Sequence, residues 1–509
     1  MENNANNTNG TSGNESNVSG YTSRFGLICI LMGGAVGAGN IWRFPRMAAL
    51  NGGGAFVVAM LICLIFVGLP IMYVEFFVGR ATRRGSIGSF RDILGKKYAW
   101  MGTWGAMCNL LMTAMYTVAT AWIFRYMFMS ISKSYYGLNK QELFSKVSNH
   151  DPITIVIFLC LIVALYFSIQ TQRIMEKVSE ILLPILFVIL IFVAIYAVTL
   201  PRGTEGLKYL YNIDWKTLAG PTVWLNALTQ TAWSLGPGML TWLHTSIFNH
   251  KNDDIVLNGK CQGYGDLTAG MLGAMCVLPC IFAFLPSEEA LALCGSGNAG
   301  LMFVGMCSLF ESMPGGFIIS ILFYVALGFA AFSSILSMAM VGVCNLMDMG
   351  MSRKKGILVI CLFYLVVGFP SVWSLTFANN QDTVWGIGFV VTMVFLSLIV
   401  HKVGAEKVRT EFINPVSDIK TGKLFNVGAL YIAPIMITIM FLWWCVQSVQ
   451  WYPDTWWNPF QEASLSSLLL QWAILIGLCI GFNSYLCKKV SPSPYNGKDY
   501  PPVPESYIQ

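Results

Sequence analysis

Charge is scarce in this chain: of 509 residues only 11% are Asp, Glu, Lys or Arg, less than half of the roughly 25% usual in a soluble protein. Histidine is scarcer still, with four in all, and neither H-E-x-x-H nor G-x-S-x-G occurs, which removes two common hydrolase signatures. GSGNAG at 295–300 does match G-x-G-x-x-G, but it lies in a loop with no strand before it and carries no dinucleotide reading. The 14 cysteines lie mainly inside apolar runs without metal-ligand spacing, and Cys294 alone in an outer loop makes no disulfide framework. Lys and Arg are missing altogether from 286–316, 376–382 and 451–464. The net charge of +6 is dispersed through short loops, so it reports membrane orientation and implies no nucleic-acid partner.

What is abundant is apolar residue, 55% of the chain. Runs of about 18–25 such residues recur, long enough to cross a hydrocarbon core of about 30 Å as helices. The reading is an all-α polytopic membrane protein with about twelve spans: 25–48, 53–79, 101–129, 153–170, 178–200, 221–248, 264–285, 317–347, 356–375, 383–401, 428–450 and 465–487. A cytoplasmic N-terminus places Arg80, Arg83, Arg84, Arg91, Lys96 and Lys97 inside. It does the same for Arg353, Lys354, Lys355 and the run from Lys402 to Lys423, leaving the Lys/Arg-free loops outside. A multi-pass protein of the cell membrane with both termini cytoplasmic is expected, surrounded by lipid. Residues 1–23, rich in Asn, Ser, Gly and Thr, read as a disordered tail whose four N-x-S/T matches are incidental, and 488–509 as a second cytoplasmic tail. The transporter-like body is 24–487, divided into 24–200, 221–402 and two additional helices over 428–487.

Two spans are interrupted. GGAVGAGNIWRFP at 33–45 puts glycines, Asn40 and Arg43 in the first, and TQTAWSLGPGMLTW at 229–242 puts Gly236, Pro237 and Gly238 in the sixth. Proline removes an amide donor and collides with the preceding turn, and glycine weakens helix further. Small residues in membrane helices also serve close packing. Two clusters at matched positions, half a chain apart, favour a midplane binding site instead. Unwound backbone frees carbonyls for a hard cation and half-helix amides for an anionic group, and Asn40 adds a side-chain carbonyl.

These residues carry a family resemblance. GAVGAGNIWRFP followed by NGGGAF at 51–56, together with WSLGPGM, resembles the signatures of the neurotransmitter:sodium symporters, and the similarity extends over nearly all of 24–487. It implies a LeuT-type five-plus-five inverted repeat with broken helices 1 and 6, and sodium-driven symport of amino acids, amines or osmolytes. It implies two sodium ions as co-transported ions and no organic cofactor. One ion would take Ala35, Asn40, Ser234 and Asp266, with the substrate carboxylate; the other Gly33, Val36, Ala330, Ser333 and Ser334. Read on its own, a Ser–Ser pair in an apolar helix more often bonds back to the preceding turn. Tyr116 matches the tyrosine that holds the substrate carboxylate, and Trp233 stands at the aromatic lid. Ala38, Gly39, Met112, Gly236, Met239, Ser334 and Met338 complete the expected substrate contacts. Arg43 would pair with an acid of the tenth span, Asp382 being nearest, and Glu75 would brace the unwound sixth span.

Gly37 stands where amine-transporting members have an aspartate, and with three flexible methionines nearby this implies a neutral, apolar amino acid as substrate. Two positions depart from the family. Asp266 replaces the usual Asn; either its charge makes chloride unnecessary, with Met60 and Gly270 at the anion-site positions, or it is a protonated hydrogen-bonding residue. Asp348 matches the inner-gate acid, but the partnering Arg-x-x-Trp reads Val18-Ser-Gly-Tyr21, so either Arg24 serves instead or the inner gate is weaker. The expectation is a symporter and not an enzyme. Alternatives are a carrier of another small amine or osmolyte, a non-transporting sensor on the same scaffold, and an ion channel, which saturable flux would separate.

Overall fold

The computed structural model describes residues 20–250 and 253–491. Among them the chain is helical throughout, with one isolated β-bridge between Gly53 and Ile213. Nine helices among the described residues are long and apolar enough to cross a membrane: Gly54–Thr82, Lys96–Ser132, Gln172–Thr199, Ile255–Phe284, Gly316–Asp348, Arg353–Trp373, Leu375–Val403, Leu424–Trp451 and Leu465–Lys489. These are the second, third, fifth, seventh to tenth, eleventh and twelfth spans. Two bent pairs bring the number to eleven: Arg24–Ala35 with Ala38–Leu50, turned by 51°, and Lys140–Val147 with Pro152–Ser168, turned by 53°. The expected sixth span is present only as Pro221–Leu235 and Thr241–Ser246. Its halves, 15 and 6 residues long, are each too short to cross alone, with residues 236–240 unwound between them.

Local chemistry sets the ends. Ser23, Asp151, Thr171, Asp254 and Ser464 each cap a helix by accepting a backbone amide hydrogen of its first turn, satisfying donors that have no intrahelical partner. The Asp254 cap starts the seventh span at Ile255, earlier than the 264 expected from hydropathy alone. The third and eighth spans, 37 and 33 residues long, hold the same place in two successive sets of five. At about 1.5 Å per residue both exceed the hydrocarbon thickness, so they tilt or protrude.

The third span is the most enclosed, 78% of its apolar window being buried against 22% for the eleventh. The second, eighth and tenth spans follow at 67% each, and the eleventh and twelfth, at 22% and 28%, lie at the periphery. Gly273 lets the seventh span touch the first: a Cβ there would lie 2.4 Å from the Asn40 carbonyl oxygen. The two expected tails fall largely on 1–19 and 492–509, outside the described residues. Residues 20–23 are packed against the body, with Tyr21 buried, so the folded part begins before the boundary at 24.

Candidate substrate and cation site

The break in the first span is two residues long. Val36 (ψ 90°) and Gly37 (ψ −173°) are extended between the helical halves. Asn40 stabilises the restart: its Oδ1 accepts from the Gly37 amide at 2.9 Å. Its Nδ2 donates to Asp266 Oδ1 at 2.7 Å, to the Asp266 carbonyl at 2.9 Å and to Ser234 Oγ at 3.3 Å. Ser234 in turn donates to Asp266 Oδ1 at 3.0 Å. The first, sixth and seventh spans thus meet at a buried Asn40–Ser234–Asp266 cluster, with Ala35 ending the first half-helix beside it. Asp266 Oδ2 is buried and has no hydrogen-bond partner among the described residues. A carboxylate oxygen left bare in a dry interior is costly, and a hard cation is the chemistry that such an oxygen and neighbouring carbonyls accept.

The sixth-span break is longer and more strained. Gly236 (φ 66°), Gly238 (φ 83°) and Leu240 (φ 61°) all take left-handed backbone, a region open to glycine and uncommon for other residues. Neighbours hold the freed groups. Glu75, fully buried on the second span, accepts from the Gly238 amide at 2.6 Å and the Leu243 amide at 3.4 Å. Asn109 donates to the Met239 carbonyl and Trp242 to the Leu235 carbonyl, both at 2.9 Å.

On the eighth span, Ser333 Oγ donates to the Gly33 carbonyl at 3.0 Å and Ala330 at 2.9 Å, and Ser334 Oγ to the same two oxygens at 3.2 Å. The back-bonding that the sequence alone suggests is therefore real, but it is shared with the first span. Four oxygens converge, with Val36 buried alongside. A hard cation at about 2.4 Å from each would need them to spread by only a few tenths of an ångström.

Between these clusters lies the expected cargo position. The Ala38 amide donates to Tyr116 Oη at 2.9 Å, so the tyrosine hydroxyl sits over a helix N-terminus, where anions are favoured. A Cβ on Gly37 would come within 2.9 Å of Ser334 Oγ and 3.0 Å of Tyr116 Oη, whereas one on Gly39 would meet nothing within 4 Å. Met112 and Met338 are buried in one apolar cluster, with Tyr116, Trp233 and Met239 packed against it. A Cβ on Gly236 would lie 3.0 Å from the Met239 sulfur.

Two expected ion pairs are not formed. Arg43 donates to Gln230 Oε1 at 2.9 Å and lies 5.8 Å from the Trp233 ring centroid. Asp382 makes no ion pair with it within 4 Å but is near enough to act on it electrostatically, while Gln230 and Trp233, three apart on one helix face, supply an acceptor and a stacking surface. Asp348 accepts from the Gly85 amide at 2.5 Å and lies 3.8 Å from Arg84, while Arg24 is exposed. The N-terminal end of the first span is held by other groups. Tyr21 Oη donates to the Thr245 carbonyl at 3.3 Å, and buried Glu176 takes the amides and hydroxyls of both Thr22 and Ser23 at 2.8–3.2 Å. Sequence reasoning missed Gln230 and Glu176. An acid among the basic residues of QRIMEKVSE was the available signal for Glu176.

Two broken helices crossing at mid-body, with oxygen clusters at both breaks, define a helical secondary transporter. The chain matches the sodium:neurotransmitter symporter family over residues 19–138 and 132–491. It belongs to that family of sodium-dependent, multi-pass membrane transporters, and not to an enzyme family. Its sequence is 27% identical over 452 residues to an uncharacterised sodium-dependent transporter of Methanocaldococcus jannaschii, covering 83% of this chain and 89% of that one. It is 22% identical over 508 residues to the sodium-dependent serotonin transporter of Drosophila melanogaster, covering 90% and 79%. Among solved structures, MhsT in complex with L-phenylalanine superposes with a TM-score of 0.70 at 28% identity, covering 83% of this chain and 99% of that one. The LeuT-type fold follows.

Proposed function

We propose that this chain imports a neutral, apolar amino acid together with two sodium ions, by alternating access and without chloride. The observation that carries the amino-acid reading is the Tyr116 hydroxyl held over the restarting helix by the Ala38 amide. Gly37 faces Tyr116 Oη and Ser334 Oγ too closely for any side chain, an acidic one included, while Gly39 opens on free space, so a substrate carboxylate finds a hydroxyl and amide ends there. The methionine-rich cluster accepts an apolar side chain, and L-phenylalanine in the structurally similar MhsT supports cargo of that size.

In this reading Ala35, Asn40, Ser234 and Asp266 hold one ion next to the substrate carboxylate, and Gly33, Val36, Ala330, Ser333 and Ser334 hold the other. Ala38, Gly39, Met112, Tyr116, Trp233, Gly236, Met239 and Met338 surround the cargo. Both termini are cytoplasmic, as the placement of Lys and Arg favours, so the Glu176–Thr22–Ser23 contact closes the inside while Trp233 and Arg43 cover the outside. Two charges moving with a zwitterion gain about 5 kcal/mol per 100 mV, which supports an accumulation on the order of a thousandfold.

Uptake of radiolabelled phenylalanine into proteoliposomes under a sodium gradient tests the proposal. Competition by leucine, methionine and aromatics is expected; preference for lysine, glutamate or a monoamine overturns it. Replacing chloride by gluconate should leave the wild type unaffected. Asp266→Asn should lose sodium affinity about 10-fold or more and recover part of it when chloride is added.

A further inference from the structure

Asp266 does not stand alone on the seventh span. Gln262 and Asn258 precede it at intervals of four, so the three share one helix face, with Asn258 about 12 Å along the axis from Asp266. All three are buried, at 0%, 0% and 2% exposure for Asp266, Gln262 and Asn258. Each has polar atoms with no hydrogen-bond partner among the described residues: Asp266 Oδ2, both Gln262 Oε1 and Nε2, and Asn258 Oδ1. Tyr73, on the second span, packs where Gly259 leaves room and adds an unpartnered buried hydroxyl. A core amide left unpaired costs about 1–3 kcal/mol, and such groups are normally satisfied by protein or water. Four on two facing helices are not explained by packing.

The row of polar groups also leads somewhere. Asn258 lines a cavity of about 250 Å³ whose other walls include Tyr21, Ser23, His250, Asp254 and Asp418. These belong to the N-terminal strap, the segment after the sixth span and the segment before the eleventh. The cavity lies on the face that the orientation proposed above places in the cytoplasm, and Asp253, Asp254 and Asp418 on its walls outnumber Arg24, which favours a cation.

We propose that Gln262 and Asn258 form a hydrated passage through which the sodium ion of the Asp266 pocket leaves toward this inner cavity. Neutral amide oxygens, one per helical turn, replace part of an ion's water without trapping it, as carbonyls do in selective pores. The inference rests on the reading of Asp266 as part of a sodium pocket, and on nothing about its titration.

The test uses the full chain with Gln262→Leu, Asn258→Leu and the double substitution. Equilibrium sodium affinity, read by sodium-dependent phenylalanine binding in detergent, should stay within about twofold. Release of radioactive sodium on dilution should slow at least 10-fold in the double variant. Gln262→Asn, which keeps a neutral amide oxygen, should release at near the wild-type rate and covers the case of a leucine variant that does not fold. In inside-out vesicles Gln262→Cys should react with a small cationic methanethiosulfonate above the wild-type background. Wild-type release from the double variant, slow release from Gln262→Asn, or a Gln262→Cys variant no more reactive than wild type overturns the passage while leaving the transporter reading standing. A wild type without sodium-dependent binding overturns that reading first, and the passage with it.

Discussion

The two broken spans solve one problem by different means. The first is interrupted for two residues, neither at positive φ, and is repaired partly from within: Asn40, three residues on, caps the Gly37 amide, while Tyr116 and the Ser333–Ser334 pair hold the Ala38 amide and the Gly33 carbonyl. The sixth is interrupted for five residues, three of them left-handed, and depends on Glu75, Asn109 and Trp242, two of which come from other spans. A short, partly self-capped break leaves few backbone groups to be held from outside and is the more hinge-like of the two. A long break held from outside behaves as a fixed cradle, whose carbonyls and amides keep their positions only while the neighbours do. The hinge carries the inner half-helix that Glu176 clasps at its start; the cradle carries Ser234, Trp233 and Gly236.

This contrast can be broken in graded steps. Gly238→Ala attacks the cradle twice, through a φ of 83° and a Cβ 2.5 Å from the Phe389 carbonyl oxygen. Strain of about 1–3 kcal/mol before the clash is counted should lower uptake by about 100-fold or more, measured as initial rate in proteoliposomes. Asn40→Ala removes the hinge's cap and two donors to Asp266. About 2 kcal/mol of lost hydrogen bonding should weaken sodium affinity about 30-fold, while folding, read by thermal melting in detergent, falls only a few degrees. Glu75→Gln keeps an acceptor for Gly238 but turns an amide donor toward Leu243; about a 10-fold loss of uptake is expected, with substrate affinity less affected than rate. Equal loss from a cap mutant and a brace mutant in both sodium affinity and melting would erase the distinction between hinge and cradle.

The smallest effect is expected far from both breaks. Lys140 and Glu311 form an ion pair joining two outer segments, and Glu311 also accepts from the Gly137 amide. The hydrogen bond from Lys140 holds the Glu311 carboxyl below its ordinary value. A lowered carboxylate pKa adds stability above the unfolded value and loses it as pH falls through the folded one. Melting in detergent should therefore show a weak acid-side loss that Lys140→Met removes, with less than about a twofold change in sodium affinity, as suits a partly exposed pair.

How much of this was legible differs between the two breaks as well. GGAVGAGN and SLGPGM announce both interruptions, because glycine and proline act on the backbone wherever they stand. Span number and the oxygen-bearing residues of both clusters could be read from hydropathy and the family resemblance. The partners of long, mobile side chains could not. Arg43 feels the charge of Asp382, but its direct contacts are Gln230 and the Trp233 ring, which lie one helical turn apart on a face it meets. The clasp on the N-terminal residues could not be read either: Glu176 stands 154 positions from Thr22, and only folding makes them neighbours.

The linear chain by itself determined where helix could not continue and which stretches had to lie in lipid, because backbone freedom and hydrophobicity are properties of short segments. Only the tertiary structure decided which atoms remain unpaired. The bare oxygen of Asp266 and the unpaired amides behind it exist as features because packing keeps protein partners away from them, and which groups meet is a property of the assembled body, not of any segment of it.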